Sequence, residues 1–192
     1  MIVLDTNIIS ELVRPVPSRS VVSWFYGLPN GEAFITSVTR AEALKGIYCI
    51  PPSSRRDKLE AATRSLIDDE FGPRTLMFDA WAAHHCAEII ARRKSLGRPV
   101  GMPDAMIAGV ARSFGASIAT RNQSDFDQCG LVVINPFDHL KFGGSAVREQ
   151  RARYDVTELV LLANTERTED RSKQIVRRVG SSHFAQYLLR VA

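Results

Sequence analysis

The chain contains no apolar run approaching the roughly 20 residues that a bilayer-spanning helix needs. A basic n-region followed by an apolar h-region is also missing at the N-terminus, so no secretion signal is expected. Cysteine is scarce. Cys49, Cys86 and Cys129 are odd in number, widely spaced and free of any C-x-x-C pairing, which excludes a disulfide framework or a zinc ribbon. Free thiols in a reducing cytoplasm suit them best. No internal repeat and no long low-complexity segment interrupts the 192 residues. Net charge is absent from most of the chain. Residues 1–139 carry 15 Lys+Arg against 15 Asp+Glu, and residues 140–192 carry 10 against 6, so the whole excess of +4 sits in the tail. A basic isoelectric point would ordinarily suggest nucleic acid, but here it describes only the last quarter of the molecule.

What is present is a hydrophobic fraction of 45%, enough to build one sizeable core. Short apolar runs alternate with helical patterns. Ile2–Leu4, Ala33–Ser37, Thr75–Phe78, Ser117–Thr120 and Leu131–Ile134 read as strands. Between them the pattern predicts helices over Thr6–Val13, from Ser18 or Ser20 to Tyr26, Thr39–Cys49, Ser54–Asp69, Asp79–Leu96 and Pro103–Phe114. Thr39-Arg40-Ala41-Glu42 matches a capping box, and Gly97 is a natural helix stop. Strands that alternate with helices predict an α/β fold, a parallel sheet of about four or five strands flanked by helices. Asn135-Pro136-Phe137 closes that domain, 1–139. Gly143-Gly144-Ser145 then marks a junction to a separate C-terminal extension, 140–192, in which Thr157–Ala163 and Ser181–Val191 are the only segments patterned for regular structure.

In parallel α/β sheets ligands bind outside the carboxyl ends of the strands. Asp5 ends the first strand, Glu42 opens the helix after the second, Asp104 lies in the first turn of the Pro103 helix, and Asn122, Ser124 and Asp125 follow the strand at 117–120. This topology projects all of them from one sheet edge. Oxygen ligands without His or Cys suit a hard cation such as Mg²⁺ or Mn²⁺, which would hold a water for attack on phosphorus. Each acid also has a plain reading: Asp5 as a helix cap, Glu42 as half of the capping box, Asp104 as a complement to a helix dipole.

The stretches Met1-Ile2-Val3-Leu4-Asp5-Thr6-Asn7, Thr39-Arg40-Ala41-Glu42, Pro103-Asp104-Ala105-Met106-Ile107-Ala108, Ala119-Thr120-Arg121-Asn122-Gln123-Ser124-Asp125-Phe126 and Val133-Ile134-Asn135-Pro136-Phe137, in that order and spacing, resemble a PIN domain. The likeness is greatest to the VapC-type toxins of bacterial toxin–antitoxin pairs, and it covers residues 1 to about 139. The resemblance implies a metal-dependent ribonuclease that leaves a 5′-phosphate and a 3′-hydroxyl. In it Asp5, Glu42 and Asp104 hold Mg²⁺ or Mn²⁺, and Thr6 orients the first acid. Family members differ over the fourth polar corner; here Asp125 is the expected acid and Asn122 a supporting amide. Arg14 and Arg121 are candidate RNA contacts. The resemblance further implies a homodimer with a cognate antitoxin protein and an RNA substrate, while the short apolar runs imply no membrane and the free thiols a cytoplasmic location.

Two other functions compete. A phosphotransferase or phosphatase using Asp5 as nucleophile would want a second acid two residues on, where Asn7 stands. A catalytically silent binding module is disfavoured by the intact acids. Other polar features suggest no site. His84-His85 lie about 100° apart on a helix and cannot share an ion well. Arg92-Arg93-Lys94 reads as a solvated helix end. Trp24 and Trp81 read as core or interface residues.

Overall fold

The computed structural model describes residues 1–139. The expected C-terminal extension, its Gly143-Gly144 junction and its two patterned segments lie outside the described residues. The element order is β1 (Ile2–Leu4), α1 (Thr6–Leu12), α2 (Arg19–Gly27), β2 (Ala33–Thr36), α3 (Ser37–Tyr48), α4 (Ser54–Arg64), β3 (Thr75–Leu76), α5 (Ala80–Ser95), α6 (Met102–Ser113), β4 (Ser117–Ala119), α7 (Gln123–Phe126) and β5 (Val133–Ile134). The strands form one sheet in the order β3-β2-β1-β4-β5, and every pairing is parallel.

Side chains on successive strand residues point to opposite faces. Leu4 accordingly packs with Ile8, Ile9, Leu12, Val21, Ile35, Leu66 and Phe71 on one side of the sheet. Val3 packs with Ile89, Ile107, Ala108, Ala111, Ile118 and Phe126 on the other. Val3 and Leu4 of the IVL run are therefore covered on opposite faces, as residues of a central parallel strand must be. β1 pairs with β2 on one side and with β4 on the other, so the winding direction reverses between β1 and β4. A crevice opens at the carboxyl ends of strands where this happens.

Several local expectations need correction. α3 starts at Ser37, and its cap is Thr36, whose Oγ1 accepts from the Thr39 N–H at 2.9 Å. Thr39 is thus already inside the helix, and Glu42 is not the reciprocal member of a capping box. The helix begins without a linker because the last residue of β2 supplies the cap. Ser18 precedes α2 but forms no side-chain cap; its N–H instead donates to Glu11 Oε1 at 2.8 Å. The long charged helix is α-helical only to Arg64, and Ser65–Glu70 form a π-helical turn. That wider turn lets Leu66, Ile67 and Phe71 all reach the core. Trp24 is buried in the core, whereas Trp81 is 73% exposed, which of core or interface leaves only the second for it. Arg93 is buried, in contrast to the solvated helix end expected for residues 92–94.

α5 and α6 pack so closely that a Cβ added at Gly109 would stand 2.5 Å from the Ala82 carbonyl oxygen and 3.0 Å from the Cys86 nitrogen. This fixes the seat of α6, whose first turn carries Asp104. No helix among the described residues is long and apolar enough to cross a membrane.

Candidate active site at the sheet switch point

Asp5 follows β1 directly and is buried. Its backbone N–H donates to the Ala119 carbonyl at 3.0 Å, which continues the β1–β4 pairing one residue past the strand. The carboxylate is held from three sides. Oδ1 accepts from the Thr6 N–H at 2.6 Å, and Oδ2 accepts from Asn7 Nδ2 at 2.6 Å and from the Thr120 hydroxyl at 2.7 Å. A carboxylate oxygen has about two lone-pair positions. Oδ2 is saturated, and Oδ1 keeps one position open.

Thr120 in turn accepts from Asn7 Nδ2 and from the Asn122 N–H, both at 2.9 Å. With both its lone pairs taken, its hydroxyl proton has Asp5 as its partner. Asn7 Oδ1 accepts from the Arg121 N–H at 3.2 Å. One amide and one hydroxyl thus stitch the ends of β1 and β4 together across the switch point and fix the first acid between them.

The remaining acids surround this point. Glu42 projects from α3, and its Oε2 accepts from the Thr6 hydroxyl at 2.7 Å. Asp104 lies in the first turn of α6, and an added Cβ at Gly101 would meet its Oδ2 at 3.0 Å, so the glycine leaves room for it. Asp125 is carried by α7. The four share one another's field. Asp104 is pushed up from 3.8 to about 6, first by partial burial and then by the charges of Asp5, Asp125 and Glu42. Asp5 is raised by burial; the Thr120 and Thr6 hydrogen bonds lower it, while Glu42 and Asp125 push it up further. Among the described residues no three His, Cys, Asp or Glu side chains stand close enough to enclose an ion. Holding one would require the carboxylates to draw nearer than they stand. The donor set fits a hard cation in kind, since all four groups are carboxylates and every charge acting on Asp104 is negative.

A model of the PIN domain matches residues 2–130. The chain belongs to the PIN domain family. It is 34% identical over 138 residues to the VapC ribonuclease Y4jK of Sinorhizobium fredii, a match that spans 72% of this chain and 99% of that protein. It is 36% identical over 127 residues to the tRNA(fMet)-specific endonuclease VapC of Shigella flexneri, spanning 66% and 90%. Among solved structures, FitAB bound to an IR36 DNA fragment contains a chain with a TM-score of 0.67 and 31% identity, covering 71% of this chain and 96% of that one.

Within this PIN domain, two expected roles change. The Thr6 hydroxyl engages Glu42 and not Asp5; only its backbone N–H reaches the first acid. The orientation of Asp5 falls to Thr120 and Asn7, neither of which sequence reasoning singled out for it. Asn122 is exposed at the start of α7 and touches the network through its backbone. Arg121 is exposed beside the switch point, with its guanidinium 5.1 Å from the centroid of the Phe137 ring. Arg14 is engaged elsewhere, in an ion pair with Glu11 at 3.0 Å.

Proposed function

We propose that this PIN domain is a metal-dependent ribonuclease, the toxin of a type II toxin–antitoxin pair, hydrolysing RNA phosphodiester bonds to a 5′-phosphate and a 3′-hydroxyl. The observation that carries the reading is the gathering of carboxylates around Asp104, raised to about 6 by partial burial and then by the charges of Asp5, Asp125 and Glu42, with no positive charge among the causes. Asp5, Glu42 and Asp104 would hold Mg²⁺ or Mn²⁺, with Asp125 as a fourth acid. Such an ion, when bound, neutralises phosphate charge and lowers the pKa of a water.

The chain's own residues prepare this. Thr120 and Asn7 hold Asp5 so that Oδ1 retains an acceptor position. Thr6 steadies Glu42 at Oε2 and leaves Oε1 available. Arg121 would meet an RNA phosphate, and Asn122 would position its neighbours. The hydrogen bonds on Asp5 also speak against its use as a phosphate-accepting nucleophile, since Asn7, two residues on, donates to Asp5 and brings no second acid.

The partners follow from the relatives. The names VapC ribonuclease and tRNA(fMet)-specific endonuclease support an RNA substrate. Toxin–antitoxin complexes among the similar structures support a cognate antitoxin protein, and the FitAB–DNA complex is the kind of assembly such a pair forms. We place the protein in the cytoplasm as a homodimer. Purified protein should cleave RNA with Mg²⁺ or Mn²⁺, stop in EDTA and recover on re-addition. Ca²⁺, which is larger and tolerates looser coordination, should bind but support little turnover. Cleavage that persists in excess chelator overturns the reading.

A further inference from the structure

Arg93 is a charged group to which the proposed chemistry gives no role. It lies near the end of α5, is only 4% exposed, and has no carboxylate partner within ion-pair distance among the described residues. Burying a guanidinium is costly unless its donors are used. Its Nη1 donates to two backbone carbonyls, Ser124 at 3.0 Å and Asp127 at a shorter distance, and its Nε has no partner. These two carbonyls bracket Asp125. Ser124 lies within α7 and Asp127 caps its end, and this four-residue helix is too short to hold itself. Gln128 follows with φ at +60°, a left-handed conformation uncommon for a residue other than glycine. Two more arginines grip the same turn from outside: Arg98 pairs with the Asp127 carboxylate at 2.7 Å, and Arg92 reaches Gln128 Oε1 at 3.4 Å.

We propose that Arg93 is the positioning residue for Asp125: by tying the Ser124 and Asp127 carbonyls to α5, it sets the α7 turn from which Asp125 faces Asp5 and Asp104. This rests on the reading above that Asp125 serves the metal site. The role is geometric. Arg93 is not among the charges that act on Asp104, whereas Asp125 is. Lysine would keep the charge and a donor nitrogen, but on a flexible four-carbon stem instead of a rigid planar guanidinium, so it would hold the two carbonyls less firmly in place.

The test is a double-mutant cycle on the full chain with Arg93→Lys, Asp125→Asn and the pair. Mn²⁺ affinity is read from the EPR signal of the free ion, beside the Mg²⁺ concentration that half-saturates RNA cleavage and the melting temperature in EDTA. Each single variant is expected to weaken Mn²⁺ binding on the order of tenfold, and the pair no further than Asp125→Asn alone. A merely structural arginine would lower the melting temperature and give losses that multiply in the pair, and that result overturns the proposal. So does unchanged Mn²⁺ affinity in Arg93→Lys when Asp125→Asn weakens it. If Asp125→Asn itself leaves Mn²⁺ affinity and Mg²⁺ requirement unmoved, the assignment of Asp125 is wrong and the role of Arg93 falls with it. Should Arg93→Lys fail to fold, Arg98→Ala takes its place in the cycle, since it loosens the same turn at an exposed ion pair. A smaller weakening that vanishes in Asp125→Asn supports the proposal, and no weakening overturns it.

Discussion

At Asp104 the proposed chemistry and the stability of the metal-free fold pull in opposite directions. Its carboxyl is raised from 3.8 to about 6 in the fold. The folded state therefore binds more protons than the unfolded state between these values. The metal-free protein should lose stability as pH rises from about 4 through about 6, and lose no more from this group above that. Asp104→Asn removes the charge. It is expected to flatten that slope, to raise the melting temperature in EDTA at neutral pH, and to lower RNA cleavage by about 100-fold or more, given that metal assistance is worth several kcal/mol. Melting curves in EDTA across this range, with single-turnover cleavage at saturating Mg²⁺, check both halves. Wild-type cleavage by Asp104→Asn would remove this acid from the site. The acids were readable one by one because a carboxylate at a strand end or in a first helical turn stands out in sequence. Thr120 and Asn7 were not, because a hydroxyl and an amide acquire their task only when β1 and β4 lie side by side.

At the level of elements, the close seat of α6 on α5 is the feature that a single methyl group would break. In Gly109→Ala the new Cβ would meet the Ala82 carbonyl oxygen at 2.5 Å, a backbone atom that cannot rotate aside. Overpacking of this kind costs about 1–3 kcal/mol, measurable by urea unfolding. If the helices part instead, Asp104 moves with α6 and cleavage drops as well. A fully stable, fully active Gly109→Ala would mean that the two helices slide freely. The parallel sheet and its site-bearing edge were legible from alternating runs and their stops. The π-helical turn at Ser65–Glu70 was not, since its sequence continues the charged helical pattern without a break. Nor was the burial of Arg93. Arginine in a basic run at a helix end reads the same whether it meets water or the carbonyls of another turn.

At the level of the whole molecule, residues 140–192 are proposed as an extension to a domain that is complete without them. The alignment of 138 residues that spans 99% of the Sinorhizobium relative supports this boundary, as does the closure of the sheet at β5. A 1–140 fragment is expected to be soluble, to bind Mn²⁺ and to cleave RNA. The charge of +4 that it lacks should at most make the loss of RNA affinity with added salt less steep. An insoluble or unfolded fragment would show that the tail completes the core.

The strand order has a consequence in time. Asp5 and the hydroxyl that holds it are 115 residues apart in sequence. At a synthesis rate of about 5–20 residues per second, roughly 6 to 23 s separate the appearance of one from that of the other. Throughout that interval β1 exists without its β4 neighbour, and the crevice between them cannot form. On the proposed reading, a nascent chain is expected to leave the RNA around it uncut, including the message and ribosome that are making it, until Thr120 and the α7 turn have been made and have emerged. Cleavage is therefore expected to become possible only late in synthesis, as a consequence of the winding order of the sheet.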